Sequence, residues 1–105
     1  MNTQERIHEL VTSNPVVLFM KGTPQFPQCG FSASAAQVLK ACGTDFVAVN
    51  VLADQDIFLG LKDYANWPTF PQLYIEGHLI GGSDIMREMF QKGELQALLA
   101  KLQAA

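Results

Sequence analysis

A chain of 105 residues, 49% hydrophobic and 16% charged, carries enough apolar material for one buried core without disulfide or metal staples. Its formal charge of −3 offers no basic stripe to a nucleic acid, and no apolar run approaches the roughly 20 residues of a membrane span. We therefore expect a single domain over residues 1–105, cytoplasmic, with neither nucleic acid nor membrane as partner, its two cysteines suiting a reducing compartment.

Asn2 and Glu5 have capping-box spacing, and Ile7, Leu10 and Val11 mark one face of a helix that Ser13-Asn14-Pro15 stops. Val16 to Met20 is a continuous apolar run, the pattern of a strand covered on both faces. A loop broken by Pro24 and Pro27 follows. Phe31, Ala35, Val38, Leu39 and Cys42 then fall on one helical stripe that Gly43 ends. Phe46 to Val51 reads as a second strand, and strand–helix–strand order implies a right-handed parallel crossover. Asp54 is placed to cap a helix with Ile57, Phe58, Leu61 and Ala65 as its apolar positions. Trp67 to Pro71 is an irregular bridge. Gln72–Glu76 and Leu79–Ile80 form a hairpin around Gly77-His78, and Gly81-Gly82 breaks it. Ser83 or Asp84 caps a helix containing Ile85, Met89 and Phe90, and Leu95, Leu98, Leu99 and Leu102 mark the last helix after Gly93. This order describes a three-layer α/β domain on a small mixed sheet.

The residue with the most chemistry is Cys29. It sits where the loop meets a helix start, so backbone N–H groups and the helix dipole favour its thiolate. Ser32 stands where a two-thiol redox motif carries its second cysteine. Cys29 can attack or ligate, but has no neighbour to resolve a mixed disulfide. Cys42, on the core stripe, reads instead as a buried inert thiol. Lys21 is either an ordinary solvated lysine or a cation that steadies the thiolate and holds an anionic thiol ligand.

Pro71 opens a strand, where a missing ladder donor is tolerated. Gly81 to Asp84 serve either as a plain hairpin exit and cap or as a pocket. In the second case the glycines allow close approach, the helix start receives a carboxylate, and Asp84 pairs with an ammonium. A zinc site is not expected, because there is no C-x-x-C pair and His8-Glu9 lacks a second histidine at metalloprotease spacing. His8 and His78 read as surface residues, the latter in the hairpin turn. Trp67 and most phenylalanines read as core, while Phe26 and Phe31 could rim the thiol.

Three spaced motifs, Met20-Lys-Gly-Thr-Pro…Pro-x-Cys29-Gly-Phe-Ser32, Trp67-Pro-Thr-Phe-Pro-Gln-Leu-Tyr74 and Gly81-Gly-Ser-Asp-Ile85, resemble those of the monothiol glutaredoxins of the CGFS class over nearly the whole chain. The resemblance implies a thioredoxin-like (glutaredoxin) three-layer fold with a small four-stranded mixed sheet and a cis bond before Pro71. It also implies a glutathione site. Lys21 would meet the glycine carboxylate, the Phe70 backbone the cysteinyl unit, Gly82 and Ser83 the γ-glutamyl carboxylate, and Asp84 the γ-glutamyl ammonium. Two positions depart from the family pattern: Phe58 replaces a frequent arginine or other polar residue, and Ser83 a frequent cysteine. Members of this class bind a [2Fe–2S] cluster in a homodimer, with one Cys29-type thiolate and one glutathione thiolate from each protomer. The implied function is iron–sulfur cluster biogenesis, transfer or iron sensing, with a BolA-like protein and cluster acceptors as partners. The alternative is a glutathione-dependent thiol–disulfide oxidoreductase with Cys29 as the catalytic thiol.

Overall fold

The computed structural model describes residues 1–104. Helix α1 (Thr3–Ser13) opens with the expected capping box, in which the Asn2 side chain accepts the Glu5 N–H and the Glu5 carboxylate accepts the Asn2 N–H. Strand β1 (Val16–Met20) explains its unbroken apolar sequence by alternation. Val16, Leu18 and Met20 enter one core cluster, and Val17 and Phe19 enter the other. Helix α2 (Gly30–Ala41) leads to β2 (Val47–Asn50), which pairs parallel with β1 as the crossover pattern predicts.

Strand β2 is shorter than the sequence suggests. The Asn50 side chain accepts the Leu52 N–H, and Val51 begins a 3-10 turn (Val51–Ala53) instead of continuing the strand. Asp54 caps α3 (Gln55–Ala65) through the Ile57 N–H, as expected. Strands β3 (Gln72–Ile75) and β4 (His78–Gly81) form the hairpin, giving the sheet order β2-β1-β3-β4 with β3 antiparallel to both neighbours. Its turn lies at Glu76-Gly77, both at positive φ, and His78 already belongs to β4. The expected turn at Gly77-His78 was one residue late, because a non-glycine residue in the left-handed region leaves little mark in sequence.

Helix α4 (Ser83–Gln91) is capped by Gly82, not by Ser83 or Asp84. A Cβ at Gly82 would lie 3.2 Å from the Pro71 carbonyl, so close approach selects glycine there over a better capping side chain. The α4 residue that enters the core is Met86, whereas Ile85 stays partly exposed. Helix α5 (Glu94–Ala104) buries Leu95 and Leu99. Helices α2, α4 and α5 share the core of one sheet face, and α1 and α3 that of the other. This is the three-layer thioredoxin-like arrangement. Among the described residues, no helix is long and apolar enough to cross a membrane.

Candidate functional site

The segment between β1 and α2 is folded back on itself. Gln28 N–H donates to the Lys21 carbonyl at 2.9 Å, and Thr23 and Phe26 exchange backbone hydrogen bonds at 3.3 and 3.1 Å. Gly22 lies at φ +90°, and a Cβ there would meet the Phe26 carbonyl at 2.5 Å and the Gln28 nitrogen at 2.7 Å. Only glycine fits that closure. Asn50 anchors the loop to β2 by accepting the Gly22 N–H at 2.9 Å.

This folding delivers Cys29 to the N-cap of α2, where no side chain satisfies the first-turn N–H groups. The Ser32 backbone N–H holds the Cys29 thiol below its ordinary pKa, aided by the Phe31 N–H, the Lys21 charge and the Ser32 hydroxyl, against the opposing effect of partial burial. Ser32 is fully buried, and its Oγ accepts the Lys21 N–H at 3.0 Å. Cys42 caps the other end of α2. It packs against the core but is half-buried, not fully buried as expected, and desolvation raises its thiol.

Cys29 opens onto a cavity of about 740 Å³. Lys21, Phe70, Pro71, Gly82, Ser83 and Asp84, all selected from sequence, line the same cavity, and the Phe70–Pro71 bond is cis. The start of α4 faces it without a side-chain cap. Ser83 is only 8% exposed, and its Oγ is buried without a hydrogen-bond partner. Trp67 Nε1, also buried and unpartnered, lies 3.8 Å from the Cβ position of Gly82. Unpaired buried polar groups at a helix N-terminus suit an oxyanion ligand.

Several residues sit differently from their expected places. Phe31 is not on the buried stripe; it is 60% exposed and shares the cavity lining with Cys29, in keeping with its expected place at the rim, whereas Phe26, 75% exposed, is outside that lining. Trp67 is cavity wall rather than core. Asp84 is 87% exposed and already accepts a hydrogen bond from Arg87 at 2.8 Å. Lys62 was not singled out from sequence, yet it lines the cavity with its ammonium 5.5 Å from the Phe58 ring centroid. The signal was its position one helical turn beyond Phe58. Among the described residues, no three His, Cys, Asp or Glu side chains gather as a metal site. Cys29 thus brings a single thiol to a cavity that Lys21, Lys62 and the start of α4 also line.

Comparison with known proteins finds glutaredoxins by both sequence and fold. The glutaredoxin family model matches residues 16–80. Glutaredoxin 4 of Escherichia coli is 52% identical over 102 residues, covering 97% of this chain and 89% of that protein. An uncharacterized monothiol glutaredoxin of Synechocystis is 54% identical over 97 residues, covering 92% of this chain and 91% of that one. Among solved structures, reduced apo GrxS14 of poplar superposes with a TM-score of 0.81 at 48% identity, covering 97% of this chain and 94% of its own. A buckwheat glutaredoxin–glutathione complex superposes with a TM-score of 0.83 at 25% identity, covering 94% and 88%.

Proposed function

The chain belongs to the glutaredoxin family, among its monothiol members, and from that premise we propose that it binds glutathione and uses it to carry a [2Fe–2S] cluster as cargo. The observation that carries the proposal is the pairing of a lone, activated Cys29 with a cavity that ends at the uncapped α4 start and the unpartnered Ser83 Oγ. Glutathione has a thiol between two carboxylate-bearing ends. Lys21 and Lys62, which both line the cavity, suit the glycine carboxylate; the α4 start suits the γ-glutamyl carboxylate; and Phe70 lines the same cavity. The buckwheat complex, of the same fold, supports the ligand class.

A thiolate-ligated cluster needs four sulfurs, and this chain offers one at the cavity. Two protomers and two glutathiones complete the set, which makes the holo form a homodimer. Ligands held without covalent attachment to the protein also allow the cargo to leave. Cluster acceptor proteins are its expected recipients, and a BolA-like protein its expected binding partner.

The lowered pKa of Cys29 also favours a second activity. The Cys29 thiolate attacks the glutathione sulfur of a protein–glutathione disulfide and releases the protein thiolate. A second glutathione thiolate then attacks the Cys29–glutathione disulfide, restoring Cys29 and leaving with the first as glutathione disulfide.

Anaerobic reconstitution with iron and sulfide, followed by native mass spectrometry, tests the main proposal. With glutathione present we expect a dimer holding one [2Fe–2S] cluster and two glutathiones, and neither cluster nor dimer without it. A cluster-loaded monomer, or a dimer that keeps its cluster with no glutathione, overturns it. A thiol-transfer assay on the same protein measures the second activity.

A further inference from the structure

Gln72 is a polar side chain with no exposed surface, immediately after Pro71. The preceding segment, Trp67 to Phe70, has no regular structure, so its carbonyls lack the ladder partners that a strand supplies. The carboxamide of Gln72 provides them. Its Nε2 donates to the Trp67 carbonyl at 3.1 Å and to the Thr69 carbonyl at 3.2 Å. Its Oε1 accepts the Tyr74 hydroxyl at 3.1 Å. This pattern fixes the amide's orientation, since a flipped group would set its oxygen against two carbonyl oxygens. Tyr74 is buried, packs edge-on against Phe19 with centroids 5.5 Å apart, and stays a donor because desolvation raises its hydroxyl far above the ordinary phenol value.

Trp67, Thr69 and Phe70 all line the cavity, whereas Gln72 does not. We propose that Gln72 is a positioning residue for the ligand cavity: its carboxamide clamps the Trp67 and Thr69 carbonyls and so fixes the wall along which the ligand lies. The proposal rests on reading the cavity as a glutathione site. The clamp separates this role from plain core packing, because an apolar side chain could fill the same space without holding either carbonyl.

The probe is S-methylglutathione, which has no ionisable thiol, followed by the fluorescence of the chain's one tryptophan, Trp67. Gln72→Leu removes both clamps and should weaken binding about tenfold while the protein remains folded. Tyr74→Phe removes only the Oε1 partner and should leave affinity within about twofold, even where it lowers stability. Gln72→Glu adds a signature that packing alone would not produce. Its protonated form keeps one donor, whereas its carboxylate faces two carbonyls, so affinity relative to wild type should fall as pH rises. Among the described residues, Tyr74 is the only titratable group hydrogen-bonded to Gln72. The backbone carbonyl NMR shifts of Trp67 and Thr69 read the clamp with no ligand present, and should move in Gln72→Leu but not in Tyr74→Phe.

Wild-type affinity in both Gln72 variants at every pH, or equal losses in Gln72→Leu and Tyr74→Phe, would overturn the clamp. Unchanged carbonyl shifts in Gln72→Leu would overturn it as well. Failure of the wild type to bind the probe would instead overturn the glutathione reading, and the carbonyl shifts would still decide the clamp.

Discussion

Ser32 occupies the place of a second thiol, and its hydroxyl serves a structural purpose there. It is the buried partner of the Lys21 N–H, tying the end of β1 to the first turn of α2 beside Cys29. Replacing it with alanine leaves that N–H unpaired. Ser32→Ala should therefore cost about 1–3 kcal/mol of stability by denaturant unfolding. The Cys29 pKa should rise only slightly, since the main cause of its lowering is the Ser32 backbone N–H, which alanine retains. The rise should be smaller than in Lys21→Ala, as followed by ultraviolet titration of the thiolate. Unchanged stability would show that Lys21 N–H finds another partner. At this scale sequence is most informative where a motif is local. Cys29, Gly30 and Ser32 are contiguous with the helix start that activates the thiol. Lys62 has a weaker signal, its place one helical turn beyond Phe58, and Gln72 acts from outside the cavity through the carbonyls of the irregular segment before it, which no motif marks.

Among the elements, α1 and α3 show how one side chain can set both a helix start and a layer contact. Asp54 accepts the Ile57 N–H as the α3 cap and also accepts from Arg6 of α1 at 2.6 Å. The Arg6 hydrogen bond, then the Ile57 N–H, hold its carboxyl below its ordinary value of 3.8. A lowered carboxyl binds its proton more weakly in the folded than in the unfolded state. Its contribution is thus fully present above that ordinary value and is lost as pH falls through the folded one. The Tm of wild type should exceed that of Arg6→Ala at neutral pH, and the gap should close as acid protonates Asp54. A gap that persists through full protonation would mean Arg6 acts through packing alone. Capping boxes, apolar runs and helical stripes made every helix and strand legible. Boundaries failed for two reasons: a local side-chain turn at Asn50 ended β2, and crowding by Pro71, eleven residues away, put Gly82 at the α4 cap.

The cavity draws on both layers of the molecule: Cys29 and Ser83 come from the starts of α2 and α4, and Phe58 and Lys62 from α3. A ligand that spans it should therefore stabilise the whole fold. Glutathione at a hundred times its Kd would add about 2.7 kcal/mol. The combined Lys21→Ala and Lys62→Ala variant should lose most of that gain at the same concentration, with little change in its unliganded Tm. A full glutathione-induced Tm shift in the double variant would remove both lysines from the binding site. Helix α2, with Cys29 at one end and Cys42 at the other, acts also as a spacer. At 1.5 Å of rise per residue it holds the two Cα atoms about 20 Å apart, far beyond the reach of roughly 7 Å for a disulfide. A folded chain cannot record oxidation as an internal cross-link. Every oxidising equivalent it takes up as a disulfide must leave a second molecule attached, so its redox history is written in mass and stoichiometry, not in shape.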